Sequence, residues 1–393
     1  MEAHQVDCFK INMRFWKFLA IWPGNNSSRY YNLYSKVFVT TFVIAFDVLF
    51  TINFYFLPRR LDVFIEEMIF YFTELAVLSK VLTFVLLRHK IIELLDILES
   101  DLFQPGNVEG LAIVKKAKRF NILYWKTVAF VSITSNFSHL SQILLEFLLG
   151  GELRLPVCSY AFLPETFKQM FLYPLCLYQG LSIAFHMLYN VNIDTFFLGL
   201  MVYAIAQLDI LDKKLRKVTD EDKDEGESND FSRKNTDQRK EAVTKINQCI
   251  VHYDEVARFC ALIEDVFSLT LFVQFSMASG IICVCLMRFT MPAPYQYFVF
   301  LATYISMMIV QIMVPCWFGT KIMDKSCYLA FAVYNCNWTT MPRQFKSNMR
   351  VFVERANRPL SISGGKLFSL SLNTFTSAKY LLLRSFKNID LER

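Results

Sequence analysis

Few side chains in this sequence carry chemistry, and they lie far apart. The five histidines, His4, His89, His139, His186 and His252, include no H-E-x-x-H arrangement, so no zinc-hydrolase site is readable. Phosphate-cradling glycine loops and the G-x-S-x-G nucleophile turn are also missing. None of the ten cysteines forms a C-x-x-C pair, and Cys283 and Cys285 sit in an apolar run where cysteine acts as a small buried hydrophobe. Neither a disulfide framework nor a metal site follows. No cofactor is implied and an enzyme is not expected. What remains is a set of ionisable residues inside long apolar runs: Asp47, Glu74, Lys80, Lys126, Glu146, His186 and Asp194. In hydrocarbon such groups pair with one another or mark a ligand or ion path. Glu74 and Lys80 share one run on different faces, so each needs a partner from another element. Lys126 and Glu146 lie near run ends, where long side chains reach the interface. The pair Glu66–Glu67 sits at the edge of a run and reads as a hydrated rim.

The elements that hold these residues are membrane spans. The 393 residues are 54% hydrophobic and 19% charged with a mean hydropathy of +0.33, whereas a soluble domain carries about 25% charge. Runs of roughly 20 apolar residues fall at Val37–Leu57, Val63–Leu87, Ile122–Leu149, Met170–Ala206, Ala261–Met287 and Tyr297–Thr320. The fourth run is long enough to leave the membrane as a helix. A seventh, Leu367–Phe386, is interrupted by Lys379 and Arg384 and bounded by Lys387, with Ser369 or Ser371 placed to cap it. A helix of that mixed character suits one face on lipid or protein and another on water, as in a pore. Phe9–Trp22 reads as an amphipathic helix lying at the interface, with Ile11, Phe15, Phe18, Leu19 and Trp22 on one face, and not as a signal peptide. Thr219–Lys240 reads as a flexible polar loop, and Ser326–Tyr334 as a separate short helix that cannot cross.

The basic residues give the orientation. With the N-terminus inside, 30 Lys and Arg fall on the inner side and 9 on the outer, the bias of cytoplasmic loops. The fold class is therefore all-α: a polytopic protein of seven transmembrane helices, N-terminus cytoplasmic and C-terminus extracellular. Its parts are residues 1–36 (N-terminal segment), 37–206 (spans 1–4), 207–260 (cytoplasmic loop), 261–366 (spans 5 and 6 with an inner helix) and 367–393 (closing helix and tail). This topology reverses that of a G-protein-coupled receptor. That class would also place a cysteine at the outer end of span 3, which Asn121–Leu149 lacks, and sugar on the N-x-S sequons at Asn25 and Asn26. The basic residues form no aromatic-interleaved stripe, so no nucleic-acid partner is expected. With this orientation the outer halves of the spans are aromatic and weakly polar. Span 2 offers Met68, Tyr71 and Phe72; span 3 offers Thr134, Ser138 and Gln142 at i, i+4, i+8; span 4 offers Tyr173 and Leu177; span 6 offers Tyr297 and Tyr304. An apolar cavity with a few hydroxyl and amide groups suits a small hydrophobic ligand.

The C-terminal stretch resembles the insect odorant receptor family. Pro359-Leu360, Gly364-Gly365-Lys366 and Phe368-Ser-Leu-Ser-Leu-Asn-Thr-Phe-Thr-Ser377 are similar to its closing signature. Leu19-Ala-Ile-Trp-Pro23, Leu155-Pro156 through Pro164, His252 with Gln274–Phe275, Gln311 with Gly319, and Trp338 with Met341-Pro342 fit the family elsewhere. The resemblance implies a tuning subunit of an odorant-gated, non-selective cation channel in the plasma membrane of olfactory sensory neurons. Its partners would be a small volatile organic ligand, a common co-receptor subunit and membrane lipid. It also implies an odorant pocket among the outer halves of spans 2, 3, 4 and 6, and a pore lined by Leu372, Phe375, Lys379, Leu382 and Phe386. After Ser377 the sequence departs from the family's apolar run, with Lys387, Asn388 and Asp390 where an apolar outer gate is expected. A gustatory receptor shares the architecture, but its T-Y-x-x-x-x-Q-F signature is missing from the last helix.

Overall fold

The computed structural model describes residues 4–23, 29–58, 61–150, 153–219, 231–289, 292 and 295–377. Six helices among them are long and apolar enough to cross a membrane. Span 1 is Arg29–Phe56, span 2 Leu61–Leu86, span 3 Val108–Leu148, span 4 Leu172–Arg216, span 5 Phe231–Phe289 and span 6 Tyr295–Tyr334. Span 4 has 45 residues, roughly 68 Å at 1.5 Å per residue, more than twice a hydrocarbon core of about 30 Å. It therefore continues well beyond the bilayer, as its apolar run predicted. It is also the organising element, packed along spans 3, 5 and 6, while span 2 lies along span 5. Span 1 carries a π-bulge at Thr40–Ile44. Such a bulge disturbs the i→i−4 ladder, and here the Tyr178 hydroxyl donates to the Thr41 carbonyl at 2.7 Å.

Three expectations are corrected. The N-terminal helix, Lys10–Phe18, expected to offer its apolar face to the membrane interface, packs on the bundle instead. Trp16 is fully buried against Trp22, Phe84 and Phe196, and Phe18, expected on the apolar face, is exposed. Phe9 packs over Gly199, where a side chain would place its Cβ 2.5 Å from the Phe9 ring. Tyr189 and Tyr203 donate to the carbonyls of Leu19 and Gln5. Asn12 donates to the Asn192 carbonyl and to Thr195. These bonds satisfy polar groups that an interfacial helix would have left to water. Second, Ser326–Tyr334 is not a separate helix but the end of span 6. The charges that seemed to break the run are accommodated there, with Lys325 paired to Asp209 at 2.6 Å and Lys321 over the Trp317 ring. Third, the part of Thr219–Lys240 from Phe231 onward is helical and opens span 5.

The chain closes on a short antiparallel hairpin that pairs Ser363 with Ser369 and Gly364 with Phe368. Gly365 and Lys366 both have positive φ, 61° and 57°, at the centre of a turn in which the Leu367 amide donates to the Gly364 carbonyl at 3.1 Å. The Gly365 amide donates to the Ser268 carbonyl of span 5 at 2.8 Å. Ser371 then caps the closing helix by accepting from the Thr374 amide at 3.1 Å; residues 372–377 of that helix are described.

Candidate ligand site and its link to the closing helix

Spans 2, 5 and 6 meet in a small apolar cluster built on Ile65, Ile69, Ile281, Val284, Cys285 and Leu301. Met68, Phe72, Tyr297 and Tyr304 pack against it. Two hydroxyl pairs punctuate the aromatic surface. Tyr304 meets Thr73 at 2.5 Å, and Tyr71 meets Thr51 of span 1 at 3.1 Å. Phe70 lies between the His139, Phe300 and Tyr304 rings, and Tyr71 packs on Phe50 and Phe54. Phe72 reaches Gly280, where an added Cβ would sit 3.0 Å from its ring. At the end of the cluster Arg288 stacks over Tyr297 and reaches Glu66 at 3.5 Å. This is an apolar, aromatic surface with a few fixed hydroxyls, and it can orient one polar group on an otherwise greasy ligand.

Of the residues expected to line a pocket, the structure brings together Met68, Phe72, Tyr297 and Tyr304, while Tyr71 packs in a neighbouring cluster against Phe50 and Phe54 of span 1. It does not bring Thr134, Ser138, Gln142, Tyr173 or Leu177 to them: all five are exposed in the chain. At that level His139 is the span 3 residue that turns inward, with its Nε2 3.2 Å from the Pro156 carbonyl.

Sequence reading also missed the segment that covers this end of the bundle. Residues 155–163 are clamped down by polar side chains from three spans. Gln179 accepts from the Val157 and Cys158 amides and donates to the Cys158 carbonyl. Asn53 accepts from the Ala161 amide, and Glu67 accepts from the Ser159 hydroxyl at 2.8 Å. Cys158 and Tyr160 are buried beneath the cover, and burial pushes the Cys158 thiol up to about 12, so it stays protonated. The readable signal was the presence of Asn53, Glu67 and Gln179 within apolar runs.

Four of the intramembrane ionisable residues pair across spans, Lys80 with Asp194 and Glu74 with His186. Lys80 is fully buried and meets Asp194 at 2.6 Å and the Asn190 amide oxygen at 2.6 Å. Gln311 of span 6 donates to the other Asp194 oxygen at 3.0 Å. Glu74 pairs with His186, while Lys126 is exposed. Further along span 6, Gly319 makes room for the closing segment: a Cβ there would fall 2.2 Å from the Leu370 carbonyl oxygen. The next residue, Thr320, accepts from the Leu372 amide at 2.9 Å. Phe375 packs on the main core and Leu372 is half-buried. Lys379, Leu382 and Phe386 lie outside the described residues.

With six long apolar helices around a central fourth and a capped closing helix, the chain is a multi-pass helical membrane protein. Its fold matches the insect olfactory receptor OR5 from Machilis hrabei, at a TM-score of 0.82 and 16% identity over 98% of this chain and 99% of that one. The structure of OR5 in complex with eugenol matches at 0.81 and 14% identity, over 99% of both chains. Residues 60–379 match the family model described as 7tm Odorant receptor. Odorant receptor 2a of Drosophila melanogaster is 28% identical over 140 residues, 35% of each chain. Odorant receptor 59a of the same fly is 31% identical over 125 residues, 31% of each. These alignments cover about a third of each of these two relatives. The chain belongs to the seven-transmembrane odorant receptor family, whose fold has seven membrane helices and whose members are receptors and not enzymes.

Proposed function

We propose that this chain is the tuning subunit of an odorant-gated, non-selective cation channel assembled with a common co-receptor. A small volatile hydrophobic molecule binds among Met68, Tyr71, Phe72, Tyr297 and Tyr304. Burial of its apolar surface, at about 25 cal/mol per Å², supplies most of the affinity, and the Tyr71 and Tyr304 hydroxyls orient any polar group. The observation that carries this reading is the continuity of span 6. One helix supplies Tyr297 and Tyr304 at one end and, through Gly319 and Thr320, holds Leu370 and Leu372 at the other. A ligand that binds better when span 6 is shifted also shifts the start of the closing helix, which lines the pore. Without such differential binding nothing opens.

The basic-residue bias supports a cytoplasmic N-terminus and an extracellular C-terminus, which puts the aromatic cluster in the outer half of the membrane. The proposed home is the plasma membrane of olfactory sensory neurons. The test is ligand-evoked current in cells expressing this chain with and without the co-receptor. The expected result is current only with both. Current from this chain alone would overturn the tuning-subunit reading, and sugar on Asn25 or Asn26 would overturn the topology.

A further inference from the structure

Beneath the aromatic cluster, three spans each send one metal-ligating side chain to a common point: Asp47 from span 1, Glu74 from span 2 and His186 from span 4. One donor atom from each lies within 4.8 Å of the other two, and all three residues are buried. Glu74 and His186 form an ion pair through Oε2 and Nδ1. Asp47 is only 3% exposed, yet neither of its carboxylate oxygens has a hydrogen-bond partner, and His186 Nε2 has none either. Phe46 closes one side, with its ring 5.4 Å from the imidazole.

Burying two carboxylates is costly unless something neutralises them. A protonated His186 balances one of them, and the other is neutralised either by a proton or by a second positive charge. A divalent cation with a neutral imidazole balances both carboxylates and gives the Asp47 oxygens the partner they otherwise lack. We propose that Asp47, Glu74 and His186 form a binding site for a divalent first-row transition ion of the zinc class. One imidazole nitrogen and two carboxylate oxygens are a donor set zinc accepts, with a fourth position left open. Calcium and magnesium want six or more oxygens or retained waters, which a three-donor site walled by Phe46 does not offer. Bonds of about 2.0–2.2 Å are reached by side-chain movements on the order of an ångström. The ion cross-links spans 1, 2 and 4 one residue beyond Thr73, which meets Tyr304 in the aromatic cluster.

The test uses the full-length receptor in detergent, stripped with a chelator and dialysed against zinc chloride, with metal read by elemental analysis. The expected result is one zinc per chain in the wild type, and in the His89→Gln and Cys176→Ser controls, with loss in Asp47→Asn and His186→Gln. Cobalt in place of zinc gives visible absorption of low-symmetry, four-coordinate character, and Asp47→Cys adds a thiolate-to-cobalt charge-transfer band. Wild-type protein without stoichiometric metal overturns the site, whatever the variants do. Zinc fully retained by both Asp47→Asn and His186→Gln overturns the assignment of its ligands. Metal content is read without ligand or current, so this outcome and that of the receptor reading are independent.

Discussion

Spans 3 and 4 are similar in length, 41 and 45 residues, and both are apolar, yet they stand at opposite extremes of packing. In the most apolar stretch of span 4, 83% of residues are buried within the chain; in that of span 3 the share is 6%. Span 4 is surrounded by spans 3, 5 and 6 and the N-terminal helix, and Gln179, His186, Asn192, Thr195 and Gln207 on it are buried. Span 3 turns most of the surface of its apolar stretch outward from the chain. A polar residue therefore means different things on the two helices. On span 4 it holds a contact that the fold needs. On span 3 the stripe Thr134–Ser138–Gln142 lies on the exposed face.

Substitutions on the two helices test this difference. Removing a core ring should have the largest effect. Phe196→Ala on span 4 takes away a fully buried ring in contact with Phe9, Trp16 and Phe84, and should destabilise by about 3–5 kcal/mol. Phe137→Ala on span 3 removes a ring that is 72% exposed, and its cost should be about 0.5 kcal/mol or less. Thermal unfolding in detergent reads both, and equal losses would erase the distinction. Next comes charge. Asp194→Asn leaves Lys80 buried without its counter-charge and should cost about 3 kcal/mol, whereas Lys126→Ala on span 3 should be nearly neutral in the same assay.

The smallest effect concerns the seam where the N-terminal segment meets the far end of span 3. Asp7 is held below its ordinary value of 3.8 chiefly by a hydrogen bond from Lys10, with Lys118 of span 3 adding to it and partial desolvation opposing it. A depressed carboxyl stabilises the fold above its unfolded value, and that contribution is lost as the pH falls through its folded value. Asp7→Asn should therefore lower the unfolding temperature slightly at neutral pH and make no difference well below pH 3.8. A constant difference across that range would contradict the assignment.

The same contrast explains what was legible in the sequence. Six spans could be read because runs of apolar residues near twenty long have few other uses. Which face of a span meets the bundle could not, because span 3 carries small polar residues on several faces, Ser132, Ser135 and Asn136 as well as Thr134, Ser138 and Gln142, and any of these reads equally well as cavity lining or outer surface. The N-terminal helix failed for a related reason. An amphipathic pattern says that one face is buried, not whether lipid or protein buries it, and Gly199 opposite Phe9 is visible only once the two are brought together. Lys80 and Asp194 were both singled out, but 114 positions separate them and nothing local joins them. The closing segment was the most readable part. Its cap could be narrowed to Ser369 or Ser371 because capping is local, and local geometry is what residue type encodes.

The central claim is that ligand is read between spans 2 and 6 and not on the outward face of span 3. Dose–response curves of the channel co-expressed with its co-receptor, for Tyr304→Phe and Ser138→Ala, test it most directly. Tyr304→Phe keeps the ring and removes the hydroxyl that meets Thr73, a change of about 1 kcal/mol. It should shift the half-maximal concentration of an active ligand about five-fold, while Ser138→Ala leaves it within two-fold. A large shift for Ser138→Ala with none for Tyr304→Phe would contradict the account.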